Sequence, residues 1–392
     1  MCDLSDKSVN SCQYFFLICS MAEGVLEYIS NDILLYGFLA QFLAAVLSIY
    51  FVPTLRKLAL AKKITDSPSA RKSHTTEVPV IGGVAVYLAA VFSIFIIIYL
   101  FPVKIDSKVF ILLGLGSTVL LFAGLLDDIV GLKVSQRFIV QALVTFVVVS
   151  KATIFITSMN GLFGVHELSK TTSLILSMLV YVIFTNILNL IDGIDGLAAG
   201  VSILAFFFFA SVAYISGNYL NILISMVSLG SLIPFLYFNI LSEKKIFLGD
   251  NGSLVLGFVL GYFTLNLLSE TNSFGISLLG DHTILILMCL FSYPLVDTLR
   301  VFTIRILRGR SPFLADKNHI HHHLLRLGFS HRKATFFILL FTISITSLSF
   351  FLTRININIA FVILFFLAVF VICLPSFLIK KDEGLILKKN MI

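Results

Sequence analysis

The fold class predicted by this sequence is all-α: a polytopic integral membrane protein of about eleven transmembrane helices. Composition points there first, because 58% of the 392 residues are hydrophobic and 12% are charged, against roughly 25% charged in a soluble domain. Run length agrees. A helix needs roughly 20 residues to cross a hydrocarbon core, and stretches such as 80–101, 172–191, 283–303 and 335–352 reach that length. The third observation is that basic residues concentrate on alternate loops, as they must if the helices cross and recross a bilayer.

In chain order, residues 1–31 form an N-terminal extension. A short apolar run at 14–21 lies within it, but its only preceding base is Lys7 and no good cleavage site follows, so the extension is expected to remain attached. The expected spans are then 32–52, 80–101, 108–126, 137–157, 172–191, 197–216, 219–241, 253–268, 283–303, 335–352 and 356–377. Backbone polar groups in lipid must be bonded within their own segment, so these runs are read as helices. Residues 32–378 make one transmembrane domain without linkers, low-complexity tracts or repeats. Residues 379–392 are a basic cytoplasmic tail. The five cysteines, Cys2, Cys12, Cys19, Cys289 and Cys373, contain no CxxC pair and have no His at zinc spacing, which assigns them to packing.

The formal charge of +7 says less than its distribution. With the segment after the first span placed in the cytoplasm, the inner loops hold 22 of the 28 Lys and Arg, leaving outside only Lys7, Lys104, Lys108, Lys151, Lys170 and Arg354. The positive-inside rule therefore sets the orientation. The expected location is the cytoplasmic membrane, with membrane lipid rather than nucleic acid against the basic surface.

The inner loops also carry Asp66, Asp127, Asp128, Asp192, Asp195, Asp250, Asp297 and Asp316, mostly beside the end of an apolar run. An ionisable group at that depth is by default a functional-site candidate. Helix capping explains a single Asp just as well. It explains Asp127-Asp128 less well, since adjacent like charges repel unless a cation neutralises them. Carboxylates are the hard ligands magnesium prefers, one or two at a time, with water and phosphate completing its shell. Arg71, Lys72, Lys133, Arg137, Arg305, Arg308 and Arg310 lie in the same loops, and basic clamps around a metal suit phosphoryl transfer.

Glycines stand among these acids, in Asn189-Leu-Ile-Asp192-Gly193-Ile-Asp195-Gly196 and in Gly249-Asp250-Asn251-Gly252. They let backbone N–H groups approach a phosphate or a base, although helix packing in membranes uses glycine too. The run His319-Ile320-His321-His322-His323 has no cysteine near it to complete a zinc site. On a helix His319 would share a face with His322 and His323. The expected role is contact with phosphate or proximity to metal.

Five motifs in order resemble the bacterial polyprenyl-phosphate N-acetylhexosamine-1-phosphate transferases over residues 33–378. They are Asp66-Ser-Pro68 through Arg71-Lys72-Ser-His74 to Pro79-Val-Ile-Gly82-Gly83; Gly124-Leu-Leu-Asp127-Asp128; Asn186-Ile-Leu-Asn189 to Gly196; Phe247-Leu-Gly249-Asp250-Asn-Gly252-Ser253; and Arg308-Gly-Arg310-Ser-Pro312 through Asp316 to His319-Ile-His321-His322. The resemblance implies transfer of N-acetylhexosamine-1-phosphate from a UDP-sugar to undecaprenyl phosphate with release of UMP. It implies Mg²⁺, or Mn²⁺, held by Asp250 with Asn189 beside it, and Asp127 and Asp128 as the catalytic acids. His319, His321 and His322 join the catalytic set. Asp195 and Phe247 would contact the uracil and Arg137 a phosphate, while Arg71, Lys72, His74, Asp192, Arg308 and Arg310 would complete substrate binding. The His-Ile-His-His form is similar to that of N-acetylglucosamine-type members.

Other functions stay open from sequence alone: the phospho-N-acetylmuramoyl-pentapeptide transferase of peptidoglycan synthesis, and, in another class, a proton-coupled transporter. The transporter fits less well, because transporters place ionisable groups near the midplane and the middles of these spans carry no acid. An intramembrane aspartyl protease, suggested by Leu248-Gly249-Asp250, lacks the glycine two residues before the Gly-Asp pair, where Phe247 stands. The choice of sugar, the polymer that follows and the presence of a homodimer leave no mark on the motifs.

Overall fold

The computed structural model describes residues 7–66, 77–101, 103, 105–269, 279–311 and 318–389, with side chains between 33 and 378. The elements are α1 (Lys7–Lys62), a two-residue antiparallel pair β1 (Thr65–Asp66) and β2 (Val78–Pro79), α2 (Gly82–Leu100), α3 (Ser107–Val130), α4 (Val134–Ala152), α5 (Lys170–Ile191), α6 (Leu197–Ile215) and α7 (Tyr219–Leu236). They continue with α8 (Gly249–Leu268), α9 (Thr283–Leu290), α10 (Ser292–Leu307), α11 (Ile320–Arg326), α12 (His331–Phe351) and α13 (Ile357–Lys389). Among the described residues, ten helices are long and apolar enough to cross a membrane, and the bent pair α9–α10 makes an eleventh if it is counted as one span. The chain is a multi-pass, all-α membrane protein.

Three expectations need correction. The run 283–303 is not one straight helix: it bends by 64° between Leu290 and Ser292. Pro294 explains the place, since proline has no N–H to give and its ring clashes with the carbonyl four residues earlier, here that of Leu290. Second, α3 extends to Val130 and α8 begins at Gly249, so Asp127, Asp128 and Asp250 lie within terminal helical turns rather than in loops. Hydropathy trims such turns because they are polar. Third, α4 occupies Val134–Ala152 rather than 137–157. It starts where Lys133 N donates to Gln136 Oε1 and ends at Thr153, whose φ is 55°.

The core forms around α8, which packs on α2, α3 and α5. Of its apolar stretch 89% is buried, against 28% for the span of α13. The outward faces of α1, α3 and α13 instead present large side chains such as Phe42, Phe122 and Phe370, as a lipid-facing surface should. Close approach of α2 to α8 depends on Gly83 crossing Gly252: a Cβ on Gly83 would fall 2.2 Å from the Gly252 Cα. Small residues are what allow membrane helices to approach so closely, and this crossing fixes the inner end of α8.

Candidate active site

The segment that leads into α8 is tied to the start of α2 like a short strand. Phe247 N donates to Pro79 O at 2.8 Å, Gly82 N to Phe247 O at 2.9 Å and Gly83 N to Leu248 O at 2.8 Å. Gly249 then turns the chain with φ 77°, and α8 begins with its unpaired N–H groups facing the end of α3. Asp128 caps them from that neighbouring helix. Its carboxylate accepts from Asp250 N and Asn251 N, both at 3.1 Å, and from Asn251 Nδ2 at 2.6 Å. These are the donors that a helix's own N-cap side chain would satisfy.

Asp127, one residue earlier, points elsewhere. Its Oδ1 accepts from Leu132 N at 2.7 Å and closes the turn after α3, while Oδ2 meets Arg137 Nη1 at 2.7 Å. The same Nη1 lies 3.1 Å from Asp250 Oδ2, and Asn189 Nδ2, from the last turn of α5, donates to Asp250 Oδ1 at 2.6 Å. Four helices thus bring Asp127, Arg137, Asn189 and Asp250 to one point. Arg137 Nε is buried without a hydrogen-bond partner among the described residues, so the guanidinium has a donor left for an anion.

The turn between α5 and α6 flanks this cluster. Burial pushes the Asp192 carboxyl well above the usual carboxylate range, and the charges of Asp250, Asp128 and Asp195 add to the effect. Asp195 is different. Burial would raise it too, but hydrogen bonds from His331 and Lys245 outweigh burial and hold it below that range. Lys245 Nζ lies 2.5 Å from Asp195 Oδ2, His331 Nδ1 lies 3.3 Å from the same oxygen, and Thr335 Oγ1 donates to Asp195 O at 2.8 Å. Gly196 N donates to Asn239 Oδ1 at 2.5 Å, which pins the turn to the end of α7.

The histidine segment reaches the same turn from the other side. A Cβ on Gly193 would stand 2.6 Å from His321 Nε2, so only glycine admits this ring. His319 and His321 are buried, at 5% and 1% exposure, and their rings stack at 5.4 Å. The face-sharing of His319 with His322 and His323 expected from sequence does not occur. His319 precedes α11 in extended conformation, with φ −62° and ψ 147°, and so pairs with His321 instead. His322 is half-buried, its ring 4.4 Å from that of His321. His323 Nδ1 bonds to Ser376 Oγ at 2.9 Å; burial and the nearby Arg300 and Arg326 push its pKa down to about 4.

The structure therefore gathers Asp127, Asp128, Arg137, Asn189 and Asp250, with Asp192 in electrostatic reach and His321 against the adjoining turn. Phe247 is half-buried beside Pro79. Arg308 and Arg310 stand exposed at the end of α10, and among the described residues neither bonds to the acid cluster. Arg71, Lys72 and His74 lie outside the described residues. Asn251, Lys245 and His331 were not singled out from sequence, because nothing in their spacing announces partners 123, 50 and 136 residues away.

A divalent cation fits the donors present. Among the described residues no three His, Cys, Asp or Glu are arranged as a metal cage, but magnesium asks for less: one or two carboxylates, with water and phosphate oxygens in its other positions. Asp127 and Asp250 direct one oxygen each at a common point, now shared by Arg137 Nη1, and both are hard ligands.

The sequence is similar to that of known proteins. The profile of glycosyl transferase family 4 matches residues 110–268. A probable undecaprenyl-phosphate N-acetylglucosaminyl 1-phosphate transferase of Bacillus subtilis (strain 168) is 30% identical over 307 residues, covering 76% of this chain and 80% of the relative. The chain belongs to glycosyl transferase family 4. Two further relatives of this family-4 chain are undecaprenyl-phosphate alpha-N-acetylglucosaminyl 1-phosphate transferases. That of Escherichia coli (strain K12) is 29% identical over 75% of this chain and 77% of its own. That of Yersinia pestis is 29% identical over 73% and 76%. The profile match contains the whole acid cluster, from Asp127 to Asp250, whereas the histidine segment lies beyond it.

Proposed function

We propose that this protein transfers N-acetylhexosamine-1-phosphate, with N-acetylglucosamine as the sugar, from a UDP-sugar to undecaprenyl phosphate, releasing UMP and starting a cell-envelope glycan. The observation that carries this reading is the meeting of Asp127, Arg137, Asn189 and Asp250, in a chain 30% identical to a transferase named for that reaction. The basic loops support a cytoplasmic position for this cluster, and in a bacterial inner membrane that is where a lipid phosphate and a soluble nucleotide would meet. These acids stand at helix ends, which speaks against a transport pathway through the midplane.

Asp250, with Asn189 against it, would hold Mg²⁺ or Mn²⁺ beside Asp127. When bound, the ion would neutralise charge on the diphosphate and help to position it. Arg137 contributes its spare Nε to a phosphate oxygen. Asp128 is spent on three N–H donors, so Asp127 is the acid that takes the proton of the lipid phosphate or orients it. An oxygen of that phosphate attacks the β-phosphorus, the bond from the β-phosphorus to the bridging oxygen breaks, and UMP leaves. One phosphoanhydride replaces another, so the step is close to thermoneutral and reversible.

The test is UMP release by the purified protein with Mg²⁺, undecaprenyl phosphate and a panel of UDP-sugars. Release that requires the lipid and prefers UDP-N-acetylglucosamine supports the reading. No release with any UDP-sugar, or release indifferent to the lipid, refutes it.

A further inference from the structure

The bent span carries a buried acid that the reaction scheme leaves without a task. Asp297, on α10, is 0% exposed. Its Oδ2 lies 3.0 Å from His319 Nδ1, and Ile320 N donates to its carboxylate at 3.2 Å. Arg300, one turn on, bonds to Asp297 Oδ1 at 2.9 Å and to Asn318 O with the same Nη2. One turn earlier on α10, the Tyr293 hydroxyl lies 3.1 Å from His321 Nδ1. Positions 293, 297 and 300 share one helical face, so the inner arm of the bent span grips residues 318–321 along its length.

The chemistry of each contact is directional. An ionised carboxylate only accepts, so His319 carries its proton on Nδ1 and, when neutral, has its lone pair on Nε2. His319 makes no capping bond of its own at the start of α11; Asp297 takes the N–H of Ile320 from outside, as Asp128 does for α8. This is more than a solvated surface pair: both partners are buried, and Arg300 spans the carboxylate and the backbone it holds.

We infer that Asp297 is a positioning residue, which fixes the tautomer of His319 and the placement of residues 318–320 and thereby sets His321 against the Asp192–Asp195 turn. The inference rests on the proposed transferase reading.

The test is a double-mutant cycle on UMP release with Asp297→Asn, His319→Ala and the double variant, each checked for monodispersity in detergent. Asp297→Asn keeps the shape but loses the full acceptor set, and is expected to lower kcat by roughly tenfold or more, with KM for the UDP-sugar moved less. In the His319→Ala background the same change should cost clearly less than in the wild type, because the part of its action that runs through the His319 ring is gone. A purely structural role would multiply the two losses instead. Multiplied losses, or Asp297→Asn at the wild-type rate, would overturn the inference. If Asp297→Asn does not fold, the same cycle with Arg300→Gln applies, with the same criterion. A wild-type protein that releases no UMP counts against the transferase reading; an active one insensitive to both substitutions counts against Asp297 alone.

Discussion

Arg137 Nη1 lies 3.1 Å from Asp250 Oδ2, across 113 residues of sequence, and 2.7 Å from Asp127 Oδ2. One guanidinium therefore compensates two carboxylates supplied by α3 and α8, and does so at 20% side-chain exposure, where water does little of the work. Like charges this close need such a partner.

The first prediction follows from that geometry. Arg137→Lys keeps the charge but loses the planar fork, and an ammonium is a poor substitute at a site of shared contacts. Turnover should fall by roughly tenfold or more, and in Arg137→Ala by about a hundredfold, read as UMP release. Full activity in Arg137→Ala would remove this residue from the mechanism.

Asp127 and Asp128 should separate when stability is measured. Asp128→Ala removes the acceptor of three N–H donors at the start of α8 and should cost about 2–3 kcal/mol, the range for a lost cap that also held charge-assisted bonds. Asp127→Ala should lower activity at least as much while leaving the melting temperature nearer that of the wild type. Thermal unfolding in detergent checks this, and equal melting temperatures for the two variants would contradict it.

Glycine substitutions test the helix crossing. Gly83→Ala forces a Cβ to 2.2 Å from Gly252 and should destabilise by about 2 kcal/mol or more, as overpacking does. Gly114→Ala meets nothing within 4 Å and should be neutral or stabilising by up to about 1 kcal/mol, since alanine is the better helix former. A melting temperature unchanged in Gly83→Ala would mean that α2 and α8 are further apart than described.

These two glycines also show what was and was not legible in the sequence. Gly83 and Gly252 stood inside recognisable motifs, and the helices that carry them announced themselves by length and apolarity. That they touch could not be read, because nothing local to either encodes the other. The same holds for the acids: Asp127, Asp128 and Asp250 were found as residues, but their division of labour depends on N–H groups of α8 that only the packed helices bring near. The histidine segment failed differently. A helix through the whole segment would set His319 beside His322 and His323, whereas His319 lies outside α11 and is held by Asp297, a contact between two stretches that hydropathy treats separately. The bend at Phe291 had a visible cause in Pro294, yet proline in a membrane helix need not bend it, and the run was long enough to pass as one span.

A pH effect on stability follows from Asp195. Its carboxyl is held below the ordinary value of 3.8 by His331 and Lys245 despite burial, so the folded state binds this proton less readily than the unfolded chain. The resulting stabilisation is fully present above the unfolded pKa and is lost as pH falls through the folded one. Asp195→Asn should therefore melt below the wild type at pH 7 and at pH ~5, with the gap closing only below pH ~4. A gap that closes between pH 7 and 5 would assign the effect to another group.

The central claim, that acids from α3 and α8 form one cation-dependent site at the inner membrane face, is tested most directly by Mn²⁺ binding to the purified protein, followed by electron paramagnetic resonance. The account predicts one Mn²⁺ per chain in the presence of the UDP-sugar, displaced by Mg²⁺, with affinity reduced by roughly tenfold or more in a monodisperse Asp250→Asn variant whose UMP release falls in parallel. Unaltered Mn²⁺ binding in Asp250→Asn, or magnesium-dependent turnover retained at the wild-type rate, would contradict it.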